Sequence, residues 1–535
     1  MIIPRPQVEA YEHGRLILPN TVTVSIPQEN SERIMDVLKL FLPTVDFTIE
    51  DSGMITFKPR DFDKAESYSL KTDSHGITIL YSDFLGARNA LATLVQLLTV
   101  EDDVYSVPFC TIEDYPSFKV RSFMLDLARG VGRKEEIKEV ILRLALLKYN
   151  QIHLHLMDSQ GVAWQSQCYP KLTGPRGDQY SMQFFKSLYE LCVKLGLEVL
   201  PEIEVPAHNE TILRCYPEFA CEVDEETHPA KWVLCAGNDD IFTFYKNIIA
   251  ELLEMFPNCQ YIHIGGDEVH YLDIPTQRCY WDECPKCQSL GYSNRQEIYY
   301  YIINRVYHIV KSYGKKVAMW NDWIDISKPC PLAKDILIYF WRVAMEGRGP
   351  TDGCSMQGFL EQGYTVVNAH FQEAYLSNKD YASINSIKDW TPSKRPVTDK
   401  KYHAQILGGE ACAWEFGNEE RYRFYRFTLP APMGMFADRM WNGTVCEYDE
   451  MFETALTRAV LGYKCPKNFN VYKLIGTIML DARTTDLGII NDHTPDTKEL
   501  ENAILSMIPI TVSDVYGHFA ALYYTECLNW ILTRK

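Results

Sequence analysis

Two adjacent carboxylates, Asp267 and Glu268, form the part of this sequence best suited to chemistry. They follow a short apolar run over residues 261–265, which predicts a buried strand. Side chains alternate between the two faces of a regular strand, so neighbouring acids would normally point apart. The preceding pair Gly265-Gly266 lets the backbone leave regular geometry and direct both acids into one space. Two acids held close together differ in pKa, which suits a general acid beside a carboxylate that stays charged.

The elements that must position these acids follow an alternation of strand and helix patterns over residues 116–443. The predicted strands are 120–127, 151–157, 197–205, 261–265, 316–320, 335–341, 364–369 and 405–409. Eight strands, mostly followed by helices, are typical of a parallel (β/α)8 TIM barrel. Residues 1–115 predict a small α+β domain that ends in a linker at 113–116. Residues 444–535 are mainly helical in pattern and predict a C-terminal extension.

Polar and aromatic residues stand at almost every predicted strand end. In such a barrel the active site lies at the carboxyl ends of the strands, so these side chains should meet. Besides the two acids, the candidates are Arg129, Asp158, His208, Trp320, Trp341, Tyr375, Trp414 and Glu415. Acids combined with three tryptophans predict a pocket for a neutral, ring-shaped polar ligand such as a sugar.

These residues lie in five ordered motifs that resemble glycoside hydrolase family 20, the β-N-acetylhexosaminidases. The motifs are RSFMLDLAR (121–129), HLHLMDSQ (153–160), PEIEVPAH (201–208), HIGGDE (263–268) and GGEACAW (408–414). The resemblance covers roughly residues 115–442. Residues 1–115 resemble the small α+β domain that commonly precedes this catalytic barrel.

The resemblance implies an exo-acting, retaining hydrolysis assisted by the substrate. The carbonyl oxygen of the sugar's 2-acetamido group would attack C1 and form an oxazolinium intermediate. Glu268 would act as the general acid and then as the base that activates water. Asp267 would hold the acetamido N–H and stabilise the developing positive charge, while Tyr375 would bind the acetamido oxygen.

The resemblance also assigns the residues that would bind the sugar. Arg129 would donate to O3 and O4, because its fork matches a vicinal diol. Asp158 and His208 would form a supporting pair beside Glu268. The walls of the −1 subsite would be Trp320, Trp341 and Trp414.

Two departures from the family pattern affect recognition of the far edge of the sugar. The family usually has Trp-x-Glu after strand eight, whereas here Glu415 follows Trp414 directly. The family often has Tyr-x-Asp or Tyr-x-Asn near strand seven, whereas here the motif is Tyr375-Leu376-Ser377. The choice between GlcNAc and GalNAc, and the linkage, therefore stay open.

Three cysteines just after the fourth strand raise the question of a metal. Cys279, Cys284 and Cys287 form C-x4-C-x2-C, but a closed zinc site needs four ligands. The fourth would be His270 or a distant cysteine. Ordinary thiols are the favoured interpretation, so no metal site is predicted, and the chemistry described needs no cofactor.

Charge and cysteine content restrict the class of partner and the compartment. The net charge of −18 argues against nucleic acid or an anionic membrane as partner. No apolar run approaches the ~20 residues that span a bilayer. The N-terminus lacks a basic segment followed by an apolar one, so no secretory signal is predicted. The 16 cysteines are then expected to be reduced, and the predicted location is cytoplasmic.

Two alternative functions stay open beside the exo-hydrolase. A lacto-N-biosidase-type enzyme of the same family would release a disaccharide from an oligosaccharide or glycoconjugate. A non-catalytic carbohydrate-binding barrel would explain the pocket, but binding alone does not require Asp267, Glu268 and Arg129 together. Chitinase-like enzymes of family 18 carry a DxxDxDxE-type motif on strand four, and this strand lacks it.

Overall fold

The structure is a computed structural model, and two packed units make up its described part. It describes residues 1–101, 104–130, 132–173, 179–224, 232–269, 280–321, 323–342, 355–376, 387, 389–394, 396, 398–415, 430–445, 452 and 455. The predicted helical extension, 444–535, lies outside the described residues apart from 444, 445, 452 and 455. Among the helices that are described, none is long and apolar enough to cross a bilayer.

The N-terminal unit is a mixed eight-stranded sheet with two helices, as the α+β prediction requires. Its strands are β1 (Val8–Leu18), β2 (Thr21–Ser25), β3 (Asp46–Ile49), β4 (Ile55–Pro59), β5 (Tyr68–Asp73), β6 (Gly76–Tyr81), β7 (Thr99–Glu101) and β8 (Val104–Asp114). The sheet order is β1-β8-β5-β6-β4-β2-β3, and β7 pairs with β8. The helices are α1 (Ser31–Phe41) and α2 (Phe84–Leu97). Helix α2 is buried along almost its whole length, because it lies between the sheet and the second unit.

The second unit is a closed parallel barrel, which confirms the predicted fold class. Its strands are β9 (Val120–Asp126), β10 (Gln151–His155), β13 (Glu198–Val205), β14 (Tyr261–Gly265), β15 (Lys316–Trp320), β16 (Leu337–Phe340), β17 (Thr365–Asn368) and β18 (Ile406–Ala413). They close in chain order, with β18 hydrogen-bonded to β9. A small hairpin follows β10, formed by β11 (Met157–Asp158) and β12 (Gly161–Val162).

Helices lie in most of the connections between these strands, and one more follows β18. They are α3 (Lys134–Leu146), α4 (Met182–Leu195), α5 (Glu210–Cys215), α6 (Asp240–Met255), α7 (Tyr280–Glu283), α8 (Pro285–Gln288), α9 (Arg295–Ser312), α10 (Met356–Glu361), α11 (Phe371–Ala374) and α12 (Pro430–Asn442). Helix α4 shows why they begin and end where they do. The Ser181 side chain accepts the Phe184 N–H at its start, and Gly196 ends it in the left-handed conformation.

The first half of the segment predicted as a linker, residues 113–114, belongs instead to the last strand of the N-terminal sheet. Asp114, at the end of β8, is buried and accepts from Lys148 Nζ (2.7 Å) and from Trp441 Nε1 (2.8 Å). Arg121 and Glu66 form a second buried ion pair across the same junction. Because Lys148, Trp441 and Arg121 belong to the barrel unit, these bonds fix the two units against each other.

Candidate active site

A glycine turn at the end of β14 carries the two acids, as the sequence predicts. Gly265 and Gly266 have φ angles of +63° and +101°, a region that side chains with a Cβ rarely adopt. A Cβ on Gly265 would also lie 2.1 Å from Glu204 Oε2. The turn brings Asp267 and Glu268 to the same histidine, with Asp267 almost buried and Glu268 more accessible.

That histidine is His208, at the end of β13. Its Nε2 lies 3.2 Å from Glu268 Oε2 and 3.6 Å from Asp267 Oδ2, while its Nδ1 lies 3.3 Å from Asp158 Oδ1. Its φ of +54° is unusual for a residue with a side chain and costs conformational energy. The structure therefore places the predicted pair Asp158 and His208 beside Glu268.

The charges in this cluster favour a protonated histidine. Burial alone lowers the pKa of His208, but the carboxylates of Asp158 and Asp267 outweigh it and raise that pKa well above its usual value. Burial likewise favours the neutral form of Asp158, yet Arg129 and His208 hold its pKa well below the usual value. At neutral pH the acids are thus accompanied by a cationic imidazole and a guanidinium.

Arg129 lies between two carboxylates and an aromatic ring. It forms ion pairs with Asp126 Oδ2 (3.0 Å) and Asp158 Oδ2 (2.7 Å). Its guanidinium carbon lies 5.0 Å from the ring centroid of Trp414. Burial lowers the pKa of Arg129, but the two carboxylates raise it by more than burial lowers it, so the guanidinium stays charged. These contacts fix the plane of the guanidinium.

The predicted aromatic residues meet as one wall. Trp341 and Tyr375 are stacked, with ring centroids 5.8 Å apart and an interplanar angle of 10°. Tyr375 meets Trp414 at 5.4 Å, and Trp414 meets Trp320 at 5.9 Å. Trp320 is buried at the base of the wall, where its Nε1 donates to Glu202 (2.6 Å). The rings form a continuous aromatic surface that reaches Arg129 through Trp414.

Glu415, the residue displaced by one position, lies on the same rim as Arg129. Its backbone N–H donates to Asp126 Oδ2 (2.7 Å), the oxygen that also pairs with Arg129. Its φ is +57°, so the chain turns sharply directly after Trp414. The structure thus brings all ten predicted site residues to the carboxyl end of the barrel.

Comparison with known proteins identifies the family. The profile of glycosyl hydrolase family 20, catalytic domain, matches residues 118–444, and that of domain 2 of the same family matches residues 1–115. The chain belongs to glycosyl hydrolase family 20. The family predicted from the five motifs is therefore confirmed.

Relatives and solved structures agree with this family assignment. The chain is 31% identical over 398 residues to a β-hexosaminidase of Porphyromonas gingivalis, covering 68% of this chain and 49% of that protein. It is 28% identical to a β-hexosaminidase of Vibrio furnissii, covering 69% and 65%. It thus spans less than two thirds of either relative. The crystal structure of β-N-acetylhexosaminidase from Bacteroides fragilis matches with a TM-score of 0.72 at 25% identity, covering 86% of this chain and 94% of that one.

Below the pocket, this family 20 barrel holds a buried histidine and glutamate network that the sequence analysis did not select. Glu202 accepts from His155 Nδ1 (2.5 Å), and its carboxylate oxygens lie 3.0 Å from His263 Nδ1 and 3.1 Å from His153 Nε2. His155 Nε2 continues to Asp158 Oδ2 (2.9 Å). The network therefore supports the acid that holds His208.

A sequence signal for this network exists. His153 and His155 are two residues apart on β10, as are Glu202 and Glu204 on β13. Residues two apart on a strand point to the same face. Each ionisable pair must therefore lie together, either in the barrel interior or against the outer helices. Glu410 on β18 completes the set, 3.1 Å from His153 Nδ1.

Glu204 and Glu202, two residues apart on β13, have pKa values that shift in opposite directions. Burial, together with the neighbouring Asp267, raises the pKa of Glu204 well above the usual value and so favours its neutral form. Glu202 is the opposite case. Burial alone would raise its pKa, but the three surrounding histidines hold it well below the usual value.

Trp232 is a further residue that the sequence analysis missed. Its Nε1 donates to the backbone oxygen of Glu268 (2.8 Å), and its ring centroid lies 4.4 Å from that of His208. It is on the long excursion between β13 and α6, where no local pattern indicates proximity to the acids. Only the folded chain brings it there.

Several groups in the described part of the chain have metal-ligand chemistry. His208, Asp267 and Glu268 form one, and two more lie in the histidine and glutamate network. Their nitrogen to oxygen distances are those of hydrogen bonds and ion pairs, so these contacts explain the groups without an ion. Of the predicted C-x4-C-x2-C cysteines, Cys279 lies outside the described residues, whereas Cys284 and Cys287 are both buried.

Proposed function

We propose that this chain is an exo-acting, retaining β-N-acetylhexosaminidase that removes terminal β-linked GlcNAc or GalNAc through an oxazolinium intermediate. The observation that carries the proposal is the arrangement of Asp267 and Glu268. A glycine turn brings both acids to one cationic histidine, at the mouth of a barrel whose rim also carries Arg129 and the aromatic wall. The proposed substrate is a terminal acetamido sugar of an oligosaccharide or glycoconjugate.

In the first step, Glu268 donates its proton to the glycosidic oxygen as the bond from C1 to that oxygen breaks. The acetamido carbonyl oxygen of the substrate forms the new bond to C1, which produces the oxazolinium ion and the free alcohol. Asp267 accepts the acetamido N–H and stabilises the positive charge that develops on the ring. The cationic His208 stabilises the carboxylate that Glu268 becomes.

In the second step, the Glu268 carboxylate takes a proton from water, and the water oxygen attacks C1 from the β face. The bond between C1 and the acetamido oxygen breaks, which regenerates the acetamide and leaves a β-hemiacetal. Two inversions at C1 give net retention. Glu268 is protonated again at the end, so the cycle closes without a cofactor.

Recognition of the sugar falls to the rim of the pocket. The ion pairs with Asp126 and Asp158 hold the Arg129 guanidinium in one plane, so its outward donors suit the O3 and O4 hydroxyls. Trp341, Tyr375 and Trp414 offer ring faces to the acetamido methyl group and the apolar face of the sugar. The Tyr375 hydroxyl would bind the acetamido oxygen.

The direct test is hydrolysis of 4-nitrophenyl β-GlcNAc and β-GalNAc, with 4-nitrophenyl β-glucoside as the substrate control. We expect release from the acetamido sugars alone and its loss in Glu268→Gln. Glu361→Gln, at an exposed helical glutamate, is the matched control and should retain full activity. No release from any acetamido glycoside by folded wild-type protein would reject the exo-hydrolase.

The role of the substrate's own acetamido group needs a separate test. Successive fluorination of the acetyl methyl withdraws electrons from the carbonyl oxygen and makes it a weaker nucleophile. If that oxygen attacks C1, kcat/KM should fall with each fluorine added. A rate independent of fluorination would indicate a protein nucleophile instead.

The lacto-N-biosidase-type alternative is tested with the 4-nitrophenyl glycoside of a β-galactosyl-GlcNAc disaccharide. The exo-hydrolase should leave this substrate intact, since its terminal sugar has no 2-acetamido group. Cleavage of the disaccharide glycoside without cleavage of the monosaccharide ones would replace the exo reaction with disaccharide release. Binding of GlcNAc without hydrolysis of any substrate would favour the carbohydrate-binding barrel.

A further inference from the structure

Four cysteines gather in one buried cluster beside the barrel. The Sγ atom of Cys235 lies 3.7 Å from that of Cys284 and 3.6 Å from that of Cys287, and Cys221 lies 3.8 Å from Cys287. All four sulfur atoms lie within 4.8 Å of one another. All four side chains are buried, and none is in a disulfide.

The spacing of these sulfur atoms matches the edges of a coordination tetrahedron. A Zn–S bond of about 2.3 Å places tetrahedral ligands about 3.8 Å apart, because the edge is about 1.63 times the bond length. The three distances between 3.6 and 3.8 Å agree with this edge. A disulfide would need sulfur atoms about 2.05 Å apart, so the cluster is not shaped as two disulfides.

The sequence around the cluster has the form of a closed structural site. Cys284-Pro285-Lys286-Cys287 supplies a C-x2-C pair, and Cys221 and Cys235 both lie on the excursion between β13 and α6. The backbone packs tightly against the C-x2-C turn, since a Cβ on Gly237 would lie 2.2 Å from the Lys286 carbonyl oxygen. Four thiolates in tetrahedral array are the donor set of zinc, and they leave no open position for substrate or water.

We propose that Cys221, Cys235, Cys284 and Cys287 bind one structural zinc ion, which clamps the excursion after β13 to the segment after β14. This revises the sequence interpretation, in which these cysteines were ordinary thiols and no metal site was predicted. The missing ligands of the C-x2-C pair are the distant cysteines Cys221 and Cys235.

Hydrogen bonds link the segment around Cys235, which the zinc would hold, to the turn that carries the two acids. Leu234, next to Cys235, donates its N–H to Pro206 (3.0 Å) and accepts from Trp281 Nε1 (3.0 Å). Two residues earlier, Trp232 holds the backbone oxygen of Glu268. The zinc therefore keeps Trp232 in place against the acid and His208. This functional consequence rests on the proposed hydrolase activity, whereas zinc binding itself does not.

Metal analysis of the full chain, purified without chelator, tests the site independently of activity. We expect one zinc per chain by plasma mass spectrometry, and an X-ray absorption spectrum that fits four sulfur ligands at about 2.3 Å. Replacement of zinc by Co²⁺ should produce the sulfur-to-cobalt charge-transfer band and the visible bands of tetrahedral cobalt. Protein without zinc, with iron, or with Cys221, Cys235, Cys284 or Cys287 in a disulfide would overturn the proposal.

Variants locate the metal within the chain. Cys284→Ser and Cys287→Ser should lose the zinc and unfold at lower temperature. Cys192→Ser and Cys259→Ser are matched controls, since both remove a buried thiol outside the cluster and should retain one zinc per chain. If the cluster variants do not fold, wild-type metal content and ligand spectrum still decide the question. Full zinc in a folded Cys284→Ser protein would contradict the assignment.

Chelation separates the clamp from the hydrolase proposal. Removal of zinc from the wild type should lower both the unfolding temperature and kcat, and re-addition of zinc should restore both. An inactive wild type that still carries four-sulfur zinc would reject the hydrolase and keep the site. An active wild type without zinc would reject the zinc site and keep the hydrolase proposal.

Discussion

The junction between the two units and the active site both bury opposite charges, yet they use them differently. At the junction, Lys148 and Asp114 are completely buried and neutralise each other at 2.7 Å. In the active site, a chain of contacts runs from fully buried Glu202 through His155, Asp158 and His208. It ends at Glu268, whose side chain is 22% exposed. A buried charge alone does not indicate function; a buried network that ends at an accessible carboxylate does.

The pKa values of buried basic groups also differ between the two regions, because the active site has an excess of acids. Burial lowers the pKa of Lys148, and Asp114 only partly opposes it. In the active site the carboxylates outweigh burial, so the pKa of His208 rises well above its usual value and that of His153 rises to about 9. Protons on the histidines thus stabilise a cluster that would otherwise be strongly negative.

The largest effect on activity is expected at Glu268, the accessible end of the contacts that run through the active site. Glu268→Gln removes the proposed proton donor, so we expect kcat/KM to fall by about 10³, within the range for general acid–base catalysis. The unfolding temperature should stay close to that of the wild type, because the side chain is partly exposed. Kinetics and thermal unfolding of one preparation measure both. A large loss of stability with little loss of rate would reverse the comparison.

A substitution at the junction between the two units should lower stability and leave activity unchanged. Lys148→Met leaves Asp114 buried without its cation, which should cost about 3–5 kcal/mol of unfolding free energy. The kcat of the folded fraction should not change. Lys311→Met, which removes the exposed ion pair with Asp335, is the control and should cost at most about 1 kcal/mol. Denaturant titrations measure both, and equal costs would contradict the prediction.

The pH dependence of stability should reveal the pair formed by Asp158 and His208. The pKa of Asp158 is lowered by folding, so its contribution is complete above about pH 4 and is lost as the pH falls through its folded value. The pKa of His208 is raised, so its contribution is present below about pH 6.5 and is lost as the pH rises through its folded value.

Asp158→Asn should therefore destabilise the protein most near pH 6, and the difference from wild type should shrink below about pH 4. Unfolding in denaturant at several pH values measures this difference. Asp46→Asn, at an exposed position in β3, should show no such dependence. A difference between wild type and Asp158→Asn that is constant from neutral to acid pH would argue against the ionised pair.

The smallest effect is expected at Glu204, because burial and Asp267 raise its pKa and favour its neutral form. Glu204→Gln keeps the shape of the side chain and mimics that neutral form, so both stability and kcat/KM should change little. Glu202→Gln is the matched contrast on the same strand, since it removes a charge shared by three histidines. Equal losses in the two variants would show that Glu204 is also ionised.

Much of the fold and of the candidate site could be predicted, because the relevant signals are local in the chain. Eight apolar segments identified the barrel strands, and the residues that follow them identified the pocket, since parallel strands end at one rim. The last strand was predicted to end at Gly409, whereas β18 continues to Ala413. In the N-terminal unit the sequence pattern predicts strands at 16–18, 22–26, 54–57, 68–70 and 77–81. It misses β3, β7 and β8, because they are short, exposed or interrupted by polar residues. The cytoplasmic location and the C-terminal extension stay predictions.

The scaffold, the glycine turn before Asp267 and the family could all be identified from the sequence, because each depends on residues that are neighbours in the chain. Which distant ionisable groups and which distant cysteines come together depends on the tertiary structure. His208 reaches Asp158 across 50 residues, and Cys221 reaches Cys287 across 66. Ionisation and coordination depend on distances in space of a few ångströms, and no local pattern of side chains encodes these distances between remote segments.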